Sequence, residues 1–300
     1  MSGSASSSPL PFAIGYGTNG FGDHPLPSAL DVLDALGYDA VALTVGYPHL
    51  DPFAPGSSQT TERLARRLGR MRDGAGAAVV VETGTRFTLD PWTKHRPTLV
   101  DAEAGLRMRY LTRAIDVAAT LDARCVSFFS GVLPEDDRPA DGWARLVDRL
   151  PVLLEEARES GVRLAIEPEP GMLVETVEDA LRLRSALGDP DDLGLTVDVG
   201  HCLVVEPDGV VGALRAAAPV LANVQLDDMP CTHHEHRPFG EGDLDLPLVL
   251  ATLAEIDYRG VAAVELPRHS HDAPALARRS LAALRQAWAD VVGHPPEATS

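Results

Sequence analysis

Short apolar runs alternate with helical stretches eight times along this chain, and that alternation restricts its fold more than any single motif. Residues 12–16, 40–45, 77–81, 124–129, 163–166, 193–197, 221–226 and 261–264 read as strands. Between and after them, residues 27–36, 60–71, 101–121, 142–159, 175–187, 209–217, 247–256 and 274–291 read as helices. Gly37 is placed to stop the first helix as a C-cap glycine. Pro151 predicts a kink in the fourth helix. Strict strand–helix alternation implies a parallel sheet. Eight such units in about 280 residues imply closure into a barrel. The expected fold is therefore α/β, a single (β/α)8 TIM barrel over residues 11–292. Residues 1–10 read as a disordered N-terminal lead and residues 293–300 as a polar C-terminal tail.

The chain has 300 residues. A (β/α)8 barrel takes about 250, which leaves room for tails and one long loop. A formal charge of −18 argues against a nucleic-acid or membrane-surface partner, while a local basic site stays open. The cysteines are Cys125, Cys202 and Cys231, an odd number set far apart. Reduced thiols in a cytoplasmic protein are expected, not a disulfide framework. The Ser-rich start lacks the basic and apolar regions of a signal peptide. No apolar run is long enough to span a membrane.

The C-termini of barrel strands open on one rim, so residues at those ends share a pocket. Strands five to eight end on or carry Glu167, Asp198, Gln225 and Glu265. A single acidic strand end is commonly a salt-bridge partner, but four polar ends on consecutive strands point to function. Three carboxylates and an amide oxygen make a hard site for one divalent metal, Mn2+ or Mg2+ first, with Zn2+, Co2+ or Fe2+ also compatible. Glu82, at the end of strand three, either lines the far wall or pairs with a loop arginine.

His201 follows Asp198 by three residues, and His234 and His236 follow strand seven. Three imidazoles suit a second, softer metal such as Zn2+, or hydrogen bonds to substrate hydroxyls, or acid–base work. The connection at residues 85–99 is long for a βα loop, as lids are. Its Arg86, Lys94, His95 and Arg96 are suited to meet an anionic group; Lys94 is the sole lysine of the chain. Arg268, His269 and His271 follow Glu265 and stand where a pocket would close.

These residues carry a resemblance. Ala165-Ile166-Glu167-Pro168, Asp198-Val199-Gly200-His201, Val224-Gln225-Leu226-Asp227-Asp228, Phe239-Gly240-Glu241-Gly242-Asp243 and Ala263-Val264-Glu265-Leu266 resemble the xylose isomerase-like TIM-barrel superfamily. That group includes sugar phosphate isomerases and epimerases and AP endonuclease family 2. The resemblance covers strands five to eight in order; the N-terminal half agrees in architecture only. It implies that Glu167, Asp198, Gln225 and Glu265 hold one divalent metal, and that Glu167 and Glu265 move a proton. Gln225 departs from the commoner His and is similar to the hydroxypyruvate isomerase branch. Endonuclease IV relatives carry three zinc ions, and His201, His234 and His236 fall where one would sit. The His ligands those relatives carry after strands two and four are not evident, which weakens a hydrolase reading.

The expected activity is a metal-dependent sugar isomerase or epimerase, working on a sugar, hydroxyketone or cyclitol through a metal-stabilised enediolate. Glu167 and Glu265 would exchange the proton. His201 would hold a substrate hydroxyl beside them, with Glu82, Lys94, His234, His236 and Arg268 as further substrate-binding groups. A dehydratase of a cyclic hydroxyketone uses the same first step, with His236 as acid at the leaving group. A non-catalytic metabolite-binding barrel is the remaining reading, and the intact four-residue set argues against it. The expected partner is a small sugar or cyclitol, with a homo-oligomer possible because relatives commonly form them.

Overall fold

The computed structural model describes residues 9–293, so most of the proposed lead and tail lies outside the described residues. Eight parallel strands close into a barrel in sequence order, β1 through β8. They are β1 (Ala13–Gly17), β2 (Ala40–Thr44), β3 (Ala78–Glu82), β4 (Val126–Phe129), β5 (Leu164–Glu167), β6 (Leu193–Asp198), β7 (Leu221–Leu226) and β8 (Val261–Val264). β1 pairs with β8 from Ala13↔Val261 to Tyr16↔Val264, which seals the ring. The expected (β/α)8 architecture is therefore present.

Small side chains fill the lower barrel: Ala40, Ala42, Val80, Cys125, Ala165, Val261 and Ala263 form one buried cluster. A Cβ on Gly15 would come within 3.1 Å of Ala263 and 3.2 Å of Ala40, so β1 approaches its neighbours closely there. The larger apolar cluster lies between the barrel and its helices, with Leu30, Leu33, Leu111, Ile115, Leu150, Leu250 and Leu284 packed on the outward strand faces. Burial of that layer is the main stabilising term of the fold.

The helices are α1 (Leu26–Leu36), α2 (Ser57–Leu68), α3 (Gly105–Leu121), α4 (Pro139–Glu159), α5 (Val177–Ala186), α6 (Val199–Val205), α7 (Gly209–Ala217), α8 (Leu246–Glu255) and α9 (Ala273–Gly293). Gly37 caps α1 at φ 83°, as its position predicts. α4 is continuous through Pro151 with no break assigned. α3 begins at Gly105, not 101, because the Asp101 carboxylate accepts from Thr98 and Arg96 and holds a turn instead. α9 runs to Gly293, one residue past the expected barrel limit. Leu10, inside the expected disordered lead, packs against the core.

Among the described residues, α6 is the α-helix that the periodicity does not predict. It starts directly at the end of β6, where the Asp198 side chain accepts from the backbone N–H groups of Gly200 and His201. Asp198 is thus both strand end and N-cap. Among the described residues, no helix is long and apolar enough to cross a membrane.

Candidate active site

The strand register sets Thr44, Glu82 and Ser127 at one level of the barrel, since Thr44 pairs with Glu82 and Glu82 with Ser127. Their side chains join a hydrogen-bonded floor. Thr44 Oγ1 donates to Glu82 Oε2 at 3.3 Å, and Gln225 Nε2 donates to Glu82 Oε1 at 3.2 Å. Thr196 Oγ1 donates to Ser127 Oγ at 2.8 Å, and Ser127 Oγ donates to Glu167 Oε2 at 3.3 Å. Asn19, just past β1, donates from Nδ2 to Glu265 Oε1 at 2.8 Å. Glu82 is therefore held by an amide and a hydroxyl, and the alternative of a loop-arginine partner does not occur.

Several acceptor oxygens are buried without any donor: Asp198 Oδ2, Gln225 Oε1, Asp227 Oδ1 and Glu265 Oε2. An unsatisfied buried acceptor is costly. Asp227 Oδ1 faces the Gly200 backbone, while the bare oxygens of Asp198, Gln225 and Glu265, on three consecutive strand ends, are of the type a hard cation takes. Since the Gln225 amide spends its N–H on Glu82, its carbonyl is the free end.

Burial pushes the Glu167 carboxyl well up, helped by the Glu169 and Asp198 charges. Asp198 rises for the same first reason, with Asp227 beside it. Glu265 rises through burial and the Glu82 charge. Burial pushes Glu82 and Glu169 up to about 7 each. So many carboxyls cannot all ionise in one cavity unless positive charge joins them.

Three imidazoles adjoin this floor. His201 Nε2 lies 3.1 Å from His234 Nε2, which lies 3.2 Å from His236 Nε2. His201 Nδ1 faces the Pro168 carbonyl at 3.2 Å, and His236 Nδ1 faces Asp227 Oδ2 at 2.7 Å. Those acceptors place the ring proton on Nδ1 in both cases, leaving two bare Nε2 atoms aimed at His234. Burial lowers the pKa of His201 and His236, and brings His234 down to about 4. All three rings are therefore neutral near pH 7.

A cavity of about 910 Å3 opens above this end of the barrel. Glu82, Glu167, Gln225, Glu265, His201, His234, His236, Lys94 and Arg268 all line it. Asp198 does not; it lies just beneath, with Oδ2 3.7 Å from His201 Nε2 and 3.9 Å from His236 Nδ1. Glu167, Asp198 and His201 offer ligand atoms within 4.8 Å of one another, as do Asp198, Asp227 and His236, and His201, His234 and His236. Glu265 joins none of those groups; Asn19 holds it on the β1 side.

The loop cations separate. Arg96 pairs with Asp101 away from the cavity, whereas Arg86, Lys94 and His95 line it, His95 with Nδ1 on the Thr85 carbonyl. Asn19, Thr44, His49, Ser127 and Glu169 also line the cavity and were not foreseen. Glu169, two residues past Glu167, was the most accessible signal among them. His49 lies after β2, but its Nε2 is engaged by the Phe21 and His24 carbonyls.

The sequence matches the family described as the xylose isomerase-like TIM barrel over residues 30–287, and the chain belongs to that family. Among curated relatives it is 29% identical over 281 residues to the rhizopine catabolism protein MocC of Rhizobium meliloti, covering 84% of this chain and 78% of that one. It is 25% identical over 251 residues to the L-ribulose-5-phosphate 3-epimerase UlaE of Shigella flexneri, covering 82% and 84%. Among solved structures, the IOLI protein with a bound zinc atom superposes with a TM-score of 0.72 at 18% identity, over 92% of this chain and 99% of that one. At that identity the likeness is one of fold.

Proposed function

We propose that this protein is a divalent-metal-dependent sugar isomerase or epimerase that moves a proton at a carbon beside a carbonyl. The observation that carries this is the set of donorless buried oxygens on Asp198, Gln225 and Glu265 beside Glu167. Similarity to a ribulose-phosphate 3-epimerase supports the sugar reading. Glu167, Asp198, Gln225 and Glu265 would hold the cation, and a zinc-bound relative of the same fold supports a divalent ion.

Bound by those four residues, a divalent cation would supply Lewis-acid polarisation of a substrate carbonyl. The chain's own groups do the rest. Glu167 takes or returns the proton on one side of the substrate, and Glu265 acts on the other. Asn19 keeps the Glu265 carboxylate oriented through Oε1. Ser127 does the same for Glu167 through Oε2. His201, with its Nδ1–H on Pro168, offers Nε2 to a substrate hydroxyl. Arg86, Phe87, Thr88, Lys94 and His95 of the β3–α3 loop form one wall of the cavity. Free thiols at Cys125, Cys202 and Cys231 fit a reducing, cytoplasmic setting.

Incubating the metal-loaded protein with ketoses and cyclitol ketones in D2O tests the reading. Deuterium should enter the carbon beside the carbonyl, and Glu167→Gln or Glu265→Gln should slow entry at least about 100-fold. Metal-replete protein that exchanges no candidate would defeat it.

The three convergent Nε2 atoms favour a second reading, in which His201, His234 and His236 hold a softer second ion such as Zn2+. The chemistry would then turn hydrolytic. Metal content separates the two: one ion per chain supports the isomerase, two support the hydrolase.

A further inference from the structure

The proton transfer proposed above uses the floor of the cavity, but the mouth is built differently. Its permanent cations, among the described residues, are Arg86, Lys94 and Arg268. Arg86 and Lys94 come from the β3–α3 loop, and Arg268 follows β8. The two loops touch: Arg86 Nη2 donates to the Pro267 carbonyl at 3.3 Å, beside Arg268. The neighbouring candidates are removed by their own bonds. Arg96 is committed to Asp101. His95 is pushed down to about 4 by burial and by Lys94, so it is neutral near pH 7. Arg107 is buried, with its guanidinium on the Pro97 and His95 carbonyls.

None of the three mouth cations lies within ion-pair distance of a described acid. That is unusual company in a chain with 44 acidic and 26 basic residues. Burial lowers the Lys94 pKa first, the Glu169 charge opposes that, and the Arg86 and Arg268 charges then lower it further, so the three cations also act on one another. Like charges assembled at a cavity mouth repel, and an anion relieves the repulsion. Two guanidinium forks and one ammonium match the oxygens of a phosphate or carboxylate.

We infer that the mouth binds an anionic group, phosphate or carboxylate, carried by the substrate at the end remote from its reacting carbons. The word substrate rests on the isomerase reading; the anion site does not. The cavity is large enough for a molecule that reaches from floor to mouth.

The test uses metal-loaded protein and has two arms. In the first, inorganic phosphate and acetate are titrated calorimetrically into wild type and an Arg86→Gln/Lys94→Gln/Arg268→Gln triple variant. The preferred anion should lose at least about ten-fold in affinity in the variant, with Tm and metal content unchanged. The preference between the two anions identifies the group. Absence of saturable binding, or equal affinity in both proteins, overturns the site. In the second arm, deuterium exchange compares ribulose with ribulose 5-phosphate, and fructose with fructose 6-phosphate and with fructuronate. The anionic member should show a kcat/KM at least about ten-fold higher, and the triple variant should erase that advantage. Equal use of neutral and anionic ketoses by both proteins refutes the inference and leaves the isomerase intact. Phosphate or acetate binding through the three cations, with no ketose exchanged, has the opposite meaning: the anion site stands and the isomerase fails.

Discussion

Gln225 brings an amide to the floor, and its usefulness depends on which end of that amide faces inward. Glu82 decides that by accepting from Nε2, so Oε1 is left bare. Replacing Glu82 by Gln lets the amide turn over, because a carboxamide donates as well as accepts. Glu82→Gln should weaken Mn2+ binding about 10- to 100-fold, as losing a partner of a ligand does. It should leave Tm equal or higher, since one buried acid is removed. A dissociation constant equal to wild type would take Gln225 out of the ligand set. The four strand-end residues were legible because each closes an apolar run. Glu82 was legible as a strand end, but its role was not: the contact joins positions 143 apart in sequence. Asn19 was unreadable as a site group for the same reason, because its partner Glu265 lies 246 positions away. Asp227 stood in a quoted motif, but its bond to His236 depends on how the β7–α8 connection folds back over nine residues.

Two short elements convert that floor into a site. α6 begins on Asp198 and carries His201 one residue later than Gly200, whose backbone runs against Asp227. A Cβ at Gly200 would overlap the Asp227 carboxylate and sit 2.8 Å from the Met229 methyl. Gly200→Ala should therefore displace the Asp227–His236 pair and cost about 1–3 kcal/mol of stability, read as a lower urea midpoint with an unchanged m-value. The other element is the β7–α8 connection. The Asp228 carboxylate accepts from the N–H groups of Met229, Gly240, Gly242 and Leu244. It staples the loop that carries His234 and His236. Asp228→Ala leaves four donors without an acceptor and should destabilise by at least about 3 kcal/mol, with hydrogen-exchange protection lost first at residues 239–244. The Phe239-Gly240-Glu241-Gly242-Asp243 run was visible in the sequence as a motif. Its physical purpose was not, because the acid that gathers it lies a dozen residues earlier. α6 was missed because Asp198, which caps it, also ends β6, and only seven residues follow before the helix stops.

At the scale of the whole molecule, the barrel concentrates repulsion where it places chemistry. Glu82, Glu167, Glu169, Asp198, Asp227 and Glu265 all have raised pKa values, with burial the first cause in each. The eightfold alternation made this rim foreseeable, but not the number of acids that would share it. Stability must respond to pH with a definite sign. An unfolded glutamate titrates near about 4.3, whereas Glu82 and Glu169 in the folded chain titrate at about 7. Between those values the folded state binds more protons than the unfolded state. Stability of the metal-free protein is therefore greatest below the unfolded pKa and falls as pH rises through the folded one. Metal-free protein should lose on the order of 5 °C in Tm between pH 5 and pH 7.5. A divalent cation held by the ionised carboxylates would invert the slope, because its binding would release their protons. With saturating Mn2+ the Tm should rise over the same interval, and calorimetry in two buffers of different ionisation enthalpy should register proton release on binding. A Tm that falls equally with and without metal would mean that these acids do not form the cation site. The same curves would then place the ion, if any, on the imidazoles, whose affinity should level off at lower pH because burial holds them neutral there.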